Sequence, residues 1–530
     1  MSGTVAKMDF EQLSTIGRAV KLGMQISIAE TRSEDAEDRL LASDRGAMWT
    51  KMRLFFGAAM AVTLAACVPV PNTGMQPAIR SSDMIESTQT LSARGNTAWP
   101  PDQWWRLAGD PQLTALIEEG LANSPQVSVA MARIRRAEAE AQRVGAARMP
   151  TIGAEAEGGL RRQSGNNGIP AQFLPDGWQD YGQTSLSFGF DLDLWGRNQA
   201  AYAAATSDAR AAVVDAEQAR LTLSVAISAA YAELARYFRE HDTAAVTLSN
   251  RRALRNLVGQ LQRNGLDNLG SLRRADAEVA AAEQDLAAAD ENIGIRRNQL
   301  AALVGAGPDR GQSITRPALV PSTPGGVPAG VTTDLLGRRP DIVAARERVE
   351  AAASRIKVAR AGFFPSVNLR ALVGLQALGL GNLVDSGSLF GAVGPAISLP
   401  IFQGGALRAQ YGSTEAAYDE AVANYNQTVV TAYQQIADAI TQRDAADRRL
   451  GAARTALLAS EDALGLVRTR YEAGLASYLD VLASERSVQD LRLAVIGLET
   501  YERGATLAMI RALGGGFNAA TTPPAGQTDQ

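Results

Sequence analysis

Two pairs of carboxylates stand at a spacing that acid–base chemistry can use: Glu155 with Glu157, and Asp191 with Asp193. Such a pair divides into acid and base when its surroundings push the two pKa values apart. Here each pair follows an alternation of apolar and polar residues, so a strand sets both members on one face by periodicity alone. A wet lining explains them more simply than catalysis, because no nucleophile constellation accompanies them. The chain has one Cys and one His, which excludes a disulfide framework and argues against a zinc site of the usual kind. His241 lies in a long polar helical stretch and reads as solvated. The lysines are Lys7, Lys21, Lys51 and Lys357, none of them in a Gly-rich loop, so a phosphate-cradling loop is absent. A net charge of -4 without a basic block argues against nucleic-acid binding. Neither an enzyme nor a cofactor is expected.

The single cysteine is informative by position. Lys51 and Arg53 precede an apolar run from Leu54 to Thr63, which ends in Leu64-Ala65-Ala66-Cys67. A charged start, a short apolar stretch and small residues at the end make a secretory signal, not a spanning helix. Leu-Ala-Ala-Cys resembles a bacterial lipobox, in which the cysteine is lipidated; Val68 after it favours the outer membrane in the lipoproteins it resembles. The expected organisation is an upstream extension over 1–47, with translation starting at Met48 or Met52, and a signal over 48–66. An extended tether over 67–110 follows, carrying Trp99, Trp104 and Trp105. One acyl chain anchors weakly, so stable membrane residence needs further apolar surface.

That surface is legible further on. From Thr151, Ile152, Ala154, Ala156 and Leu160 alternate with polar or glycine positions; after a loop, Leu186, Phe188, Phe190, Leu192 and Leu194 alternate with Ser185, Ser187, Gly189, Asp191 and Asp193. The pattern returns at Val367, Leu369, Ala371, Val373 and Leu375 against Ser366, Asn368, Arg370 and Gly374, and again through Val393, Ile397, Leu399 and Ile401. Period two with one apolar and one wet face predicts strands. At about ten residues each, they are long enough to cross a bilayer core when tilted. Glu155, Glu157, Asp191, Asp193 and Arg370 are then the charged residues of the wet face.

Each hairpin is preceded by a proline-bounded helix and followed by a very long one. The same interval separates Pro125 from Pro150 and Pro340 from Pro365, so one unit is used twice. A helix from Arg197 to about Arg263 would reach roughly 100 Å. Its partner keeps a heptad through Leu272, Ala275, Val279, Ala282, Leu286, Ala289, Ile293, Arg296, Leu300 and Leu303. The second unit repeats this from Ala406 to about Arg470, with Val422, Tyr425, Val429 and Ile436. Its partner starts at Tyr478 and carries Val481, Val488, Leu491, Val495 and Leu498. Sustained 3.5-residue spacing predicts coiled-coil packing. The units are expected over 111–304 (hairpin 151–194) and 333–513 (hairpin 366–402), with a linker over 305–332 and a disordered tail over 514–530.

Four strands cannot close a barrel in lipid, because open edges leave backbone groups unsatisfied. The strands must be shared between chains, two copies giving eight and three giving twelve. The long helices would continue the tube below. The two helix turns, Arg263 to Ser271 and Tyr471 to Asp480, align Gly265 with Gly474, Leu266 with Leu475 and Ser271 with Asp480.

Gly337-Arg338-Arg339-Pro340-Asp341-Ile342, Phe363-Phe364-Pro365-Ser366, Pro400-Ile401-Phe402-Gln403-Gly404-Gly405, Asp193-Leu194-Trp195-Gly196-Arg197 and the lipobox together resemble the outer-membrane factor family. These are the TolC-like export ducts, and the resemblance is to their NodT-type lipoprotein branch, which serves resistance-nodulation-division efflux pumps. It implies a mixed α and β homotrimer: a twelve-stranded outer-membrane β-barrel, a periplasmic twelve-helix coiled-coil α-barrel and an equatorial region. It implies Cys67 as the lipidated residue embedded in outer-membrane lipid. The partners it implies are a periplasmic membrane-fusion adaptor, received by Gly265, Leu266, Gly474 and Leu475, and an inner-membrane transporter. Tyr471 and Asp480 become gate residues linked to neighbouring helices, with Ser271 at the equivalent place in the first turn. Ser271 stands where some relatives carry Asp, and Ala483 where an acidic residue can occur, so other partners can hold this gate.

Two other functions fit parts of the pattern: a lipid-anchored coiled-coil scaffold without a pore, and a duct for protein secretion. A scaffold has no need of wet-faced hairpins, and the lipobox and branch resemblance favour efflux over secretion. The acidic wet face, offset in part by Arg370, hints at a mild cation preference.

Overall fold

The strand and helix periods of the sequence reappear as two matched sets of elements. The computed structural model describes residues 98–166, 170–318 and 331–519, together with 71, 77–81, 84–87, 89–91 and 328. All of these belong to the unit Val70–Gln530. The expected upstream extension, the signal and Cys67 lie outside the described residues.

The first set runs α1 (Pro111–Asn123), α2 (Pro125–Ala146), β1 (Thr151–Arg161), β2 (Gln179–Asp191), α3 (Arg197–Arg263) and α4 (Leu269–Leu303). Two short helices follow, α5 (Pro308–Gln312) and α6 (Val331–Arg338). The second set is α7 (Pro340–Ala361), β3 (Ser366–Leu378), β4 (Leu389–Ser398), α8 (Ala406–Glu472) and α9 (Tyr478–Ala512). Lengths match pair by pair: 22 residues in α2 and α7, 67 in α3 and α8, 35 in α4 and α9. Local chemistry explains the starts. Asp110 accepts the N–H groups of Gln112 and Leu113 to cap α1, Ser124 accepts that of Gln126 to cap α2, and prolines occupy the first turns of α1, α2 and α7. Helix α1 lies just past the expected tether, and α5 and α6 give helical turns to the ends of the expected linker. No described helix is long and apolar enough to cross a membrane.

The four strands form one antiparallel sheet in the order β1-β2-β3-β4, so β1 and β4 are its edges. Helix α3 packs along α2 and α7 through one part of its length and along α4 and α9 through another; α8 packs along α7 and α9. The two largest apolar cores among the described residues sit between these helices, one per repeat. The first gathers Trp104, Trp105, Leu116, Ile117, Ile227, Tyr231, Leu234 and Leu300. The second gathers Leu335, Ile342, Val422, Tyr425, Val429, Ile436 and Met509. The heptad and 4-3-4 positions read from sequence supply Ile227, Tyr231, Leu234, Ile293 and Leu300 to the first and Val422, Tyr425, Val429 and Ile436 to the second. Each fully buried Leu or Ile contributes about 1.5–3 kcal/mol over an exposed one. The tryptophans divide between the cores: Trp104 and Trp105 pack edge to face in the first, while Trp99 packs on the second beneath Arg338.

The expected disordered tail is corrected over its first residues. Gly514, Gly515 and Gly516 take left-handed backbone angles, and Phe517 and Ala519 pack on Val214, Val343 and Ala344. Three consecutive glycines read as a loose end in sequence; here they permit a turn crowded on all sides.

Candidate functional site

Two places carry the candidate functional residues: the helix turns at α3–α4 and α8–α9, and the polar face of the sheet. The turns are built alike. Gly265 has φ 75° and Gly474 φ 73°, a left-handed conformation that glycine adopts at little cost. After each, the chain closes a helix-ending bond, Leu266 N–H to Leu261 O at 2.8 Å and Leu475 N–H to Arg470 O at 2.7 Å. A Cβ at either glycine would meet nothing within 4 Å, so conformation alone selects the residue. The leucines that follow are turned outward, Leu266 74% and Leu475 70% exposed. The next helices start on Asn268, which accepts the Ser271 N–H at 2.9 Å, and on Ser477, which accepts that of Asp480 at 3.3 Å.

Asp480 and Tyr471 take different situations. Asp480 is exposed, and its Oδ2 accepts both the N–H and the hydroxyl of Ser477 at 2.8 Å. These bonds, the backbone N–H foremost, hold its pKa below the usual aspartate value. Tyr471 is buried among Val258, Ala275, Tyr478 and Val481, and its hydroxyl has no hydrogen-bond partner among the described residues. Burial, with the negative charge of Asp267 adding to it, pushes its pKa up. Among the described residues, then, Asp480 bonds to its own helix start and Tyr471 packs.

Charged contacts missed in the sequence lie close by. Arg251 on α3 and Glu485 on α9 are 5% and 9% exposed and meet at 2.8 Å; Arg468 on α8 contacts the other Glu485 oxygen. The available signal was a carboxylate interrupting the Val481–Val488–Val495 seam at a helical interval. The expected solvated His241 lies between Asp242 at 3.7 Å and Asp290 at 3.4 Å, and is about one-third exposed.

On the sheet, register brings Glu155 opposite Ser185 and Ser185 opposite Gly374; Glu157 opposes Gln183, which opposes Gln376. Arg370 opposes Gly189, and Asp191 opposes Asn368. Glu155, Glu157, Asp191 and Arg370 thus share one face. The other face shows Ile152, Leu186, Val373 and Val393 outward. The Tyr181 hydroxyl donates to Glu157 at 2.6 Å.

Asp193 leaves this set. It lies beyond β2 with φ 43°, and its carboxylate accepts the N–H groups of Asn198 and Gln199 at 2.9 Å each. Asp191 joins the same corner, accepting from the Asp193 N–H at 3.0 Å and from Asn198 Nδ2 at 3.1 Å. Asp193 therefore caps α3, and its place in the alternation is one of sequence only. The corner is closed by Trp195, which stacks on Phe364 and donates to the Pro365 carbonyl at 2.7 Å, joining the feet of the two hairpins.

Comparison with known proteins agrees with this architecture. The outer membrane efflux protein family matches residues 116–306 and 331–515, two segments that follow the two sets of elements. The fusaric acid resistance protein FusA of Burkholderia cepacia is 34% identical over 67% of this chain and 68% of its own. The outer membrane protein OprJ of Pseudomonas aeruginosa is 30% identical over 87% and 95%. The crystal structure of the outer membrane protein VceC of Vibrio cholerae superposes with a TM-score of 0.75 at 43% identity, covering 79% of this chain and all of that one. With more than half its length matched in this way, the chain belongs to the outer membrane efflux protein family.

Proposed function

We propose that this protein is the outer-membrane exit duct of a tripartite efflux pump, passively conducting small molecules received from a periplasmic adaptor and an inner-membrane resistance-nodulation-division transporter. The observation that carries the reading is the sheet: four strands of bilayer length, one face apolar and exposed, the other polar, and two free edges. An open edge in lipid leaves its N–H and C=O groups unsatisfied, so β4 of one copy must meet β1 of the next. Three copies make twelve strands, a closed barrel. The helices follow the same logic. Within one chain α4 and α8 end one row and α2 and α8 the other, so closure of the ring brings α8 against α4 and α2 of a neighbour. The names of relatives support export: multidrug resistance for MdtP of Escherichia coli and fusaric acid resistance for FusA. Glu155, Glu157, Asp191 and Arg370 line the conduit, and they are given no catalytic part.

Tether length supports Cys67 as a lipid anchor. Asn426 on α8 holds the segment ahead of the first core, donating to Ala78 O at 3.2 Å and accepting the Arg80 N–H at 2.8 Å. From Asn426 back to the start of α8 at the strand feet is about 30 Å of helix. Cys67 lies eleven residues before Ala78, a reach of at most about 36–40 Å when extended, longer than that stretch of helix. The exposed turns with Leu266 and Leu475 face the adaptor, and Tyr471, Asp480 and Ser271 surround the closed end.

Single-channel conductance in planar bilayers tests the reading, with wild type beside Asp480→Ala. A small, mostly closed conductance that rises in the variant supports a sealed duct with Asp480 at its end. Pores unaltered by the substitution keep the duct and remove Asp480 from its gate. No pore from a well-folded oligomer overturns the duct and leaves a lipid-anchored scaffold.

A further inference from the structure

Resting on the duct reading, we propose that Glu485 is a positioning residue: clasped between Arg251 and Arg468, it holds the α8–α9 hairpin on α3 and sets the resting position of the Tyr471–Asp480 turn. Glu485 points into the helix group from the same side of α9 as the buried Val481 and Val488. One oxygen meets Arg251 of α3 at 2.8 Å, the other Arg468 of α8, and Glu278 of α4 stands 3.9 Å behind Arg251. One carboxylate thereby joins three helices, with Glu485 and Arg251 almost closed to water and Arg468 at the open side.

The clasp ends a ladder. Arg468–Glu485, Glu461–Arg492 at 2.6 Å and Arg454–Glu499 at 2.9 Å connect α8 to α9 at successive heptad steps, with the sign reversing at each rung. A slip of one heptad would set like charges opposite each other, so the ladder fixes the hairpin's register. Only its terminal glutamates also reach α3, Glu485 through Arg251 and Glu499 through Arg239. The middle rung stays within the hairpin and is open to water.

The duplicated turn lacks the device. With Gly265 set on Gly474, Asp276 falls on Glu485, Gly259 on Arg468 and Ser460 on Arg251. Asp276 is one-third exposed and is held by Arg255 at 2.9 Å and Arg273 at 3.4 Å, within its own hairpin. So the repeats diverged where the second hairpin meets α3. At the turn itself, among the described residues, Asp480 bonds to Ser477 and the Tyr471 hydroxyl is unpartnered, so neither ties the turn to α3. Apolar contacts there tolerate sliding. A buried charge does not, because withdrawing one partner strands the other. The clasp therefore gives the hairpin a discrete seat, and moving the turn away from α3 requires Arg251 and Glu485 to part and become hydrated.

The full chain is tested as Glu485→Gln, Arg251→Met and Arg251→Lys, with Asp276→Asn as the control from the first hairpin. Mean conductance in planar bilayers is expected to rise at least threefold in the first two. The double variant should rise no further than either single, Arg251→Lys should return toward wild type, and Asp276→Asn should not alter it. Peptide-resolved amide exchange reads the clasp without a pore: residues 471–485 should exchange faster in Glu485→Gln while 264–276 stay as in wild type. Where the buried substitution does not assemble, Arg468→Gln, at a partly exposed guanidinium, gives the same readouts in smaller measure. Unaltered conductance and exchange in assembled Glu485→Gln and Arg468→Gln overturn the proposal, as does an equal rise in Asp276→Asn. Faster exchange in a protein that forms no pore keeps the clasp and removes the duct.

Discussion

Asp480 and Ser477 answer each other across the first turn of α9: the Ser477 hydroxyl accepts the Asp480 N–H, and the Asp480 carboxylate accepts the Ser477 N–H. This reciprocal box satisfies two donors that a helix start otherwise leaves open. It also sets a pH dependence. The Asp480 pKa is depressed in the folded chain, so its contribution is fully present above the unfolded aspartate value, about 3.9, and is lost as pH falls through the lower folded value. Amide protection over 477–481 should survive at pH 5 and disappear only on acidification below about 4. Pulse-labelled exchange after incubation at each pH measures this. Loss between pH 6 and 5 would contradict the assignment.

The same box separates two effects of substitution. Ser477→Ala removes the cap while leaving the charge, at a cost of about 1 kcal/mol in helix stability. Asp480→Asn removes the charge while retaining a carbonyl oxygen that can accept the Ser477 N–H. If the Asp480 charge, not the cap, holds the end of the duct closed, Asp480→Asn should raise conductance as Asp480→Ala does, and Ser477→Ala should not. Equal responses in all three would assign the effect to the cap.

Arg339 binds the second repeat together at a single point. Its buried guanidinium donates to Ala512 O at the end of α9 at 3.0 Å, to Gln435 Oε1 on α8 at 2.9 Å, and as a fork to Asp341 at the start of α7. Arg339→Met strands a carboxylate and a carbonyl and should cost about 3–5 kcal/mol. Arg339→Lys should not rescue it, because one ammonium cannot reproduce the planar fork. Thermal unfolding of the assembled protein reports both, and a wild-type midpoint in Arg339→Lys would refute the fork.

These cases mark how far the sequence was readable. Period two in Thr151–Arg161 and Ser366–Leu378, and the seams of α4 and α9, reflect burial repeated over many residues, so single exceptions do not hide them. Asp193 kept the alternation, but its φ of 43° turned it from the sheet to cap α3. Glu485 broke a seam, and a charge at such a place is ordinarily read as solvated until its partners on α3 and α8 are known. Helix α1 was masked by its Pro- and Gly-containing surroundings. The closure proposed above is a relation between copies, and the described strands of one chain record it as the unpaired edges β1 and β4.

Tyr231 and Asp110 make a buried polar joint in the first core. The hydroxyl donates to Asp110 Oδ2 at 2.8 Å while the other Asp110 oxygen caps α1, and Gln112 Nε2 donates to the hydroxyl at 2.8 Å. Burial, the first cause, drives the Tyr231 pKa far up, so the donor stays protonated at every pH at which the protein is handled. Tyr231→Phe keeps the ring's packing and leaves Asp110 and Gln112 each short of a partner. The expected cost is about 1–3 kcal/mol, read as a lowered thermal midpoint without loss of assembly. A midpoint equal to wild type would show that water replaces the hydroxyl.

The glycines of the closing turn should be far less replaceable than those of the exposed turns. A Cβ at Gly514 would stand 1.9 Å from Arg338 O, one at Gly515 2.1 Å from Leu221 Cδ1, and one at Gly516 2.4 Å from the Pro101 backbone. At Gly265, with a similar left-handed φ, it would meet nothing. Gly265→Ala therefore bears only the conformational cost, about 1–2 kcal/mol. Gly514→Ala adds a collision with backbone that no side-chain rotation relieves, and it should fail to assemble or unfold well below wild type. Removal from 514 onward strips Phe517 from Val214 and Ala344 and should lower the midpoint likewise. Thermal midpoints and oligomeric state of the three variants decide this, and equal behaviour of Gly514→Ala and Gly265→Ala would show that the turn yields instead of holding its place.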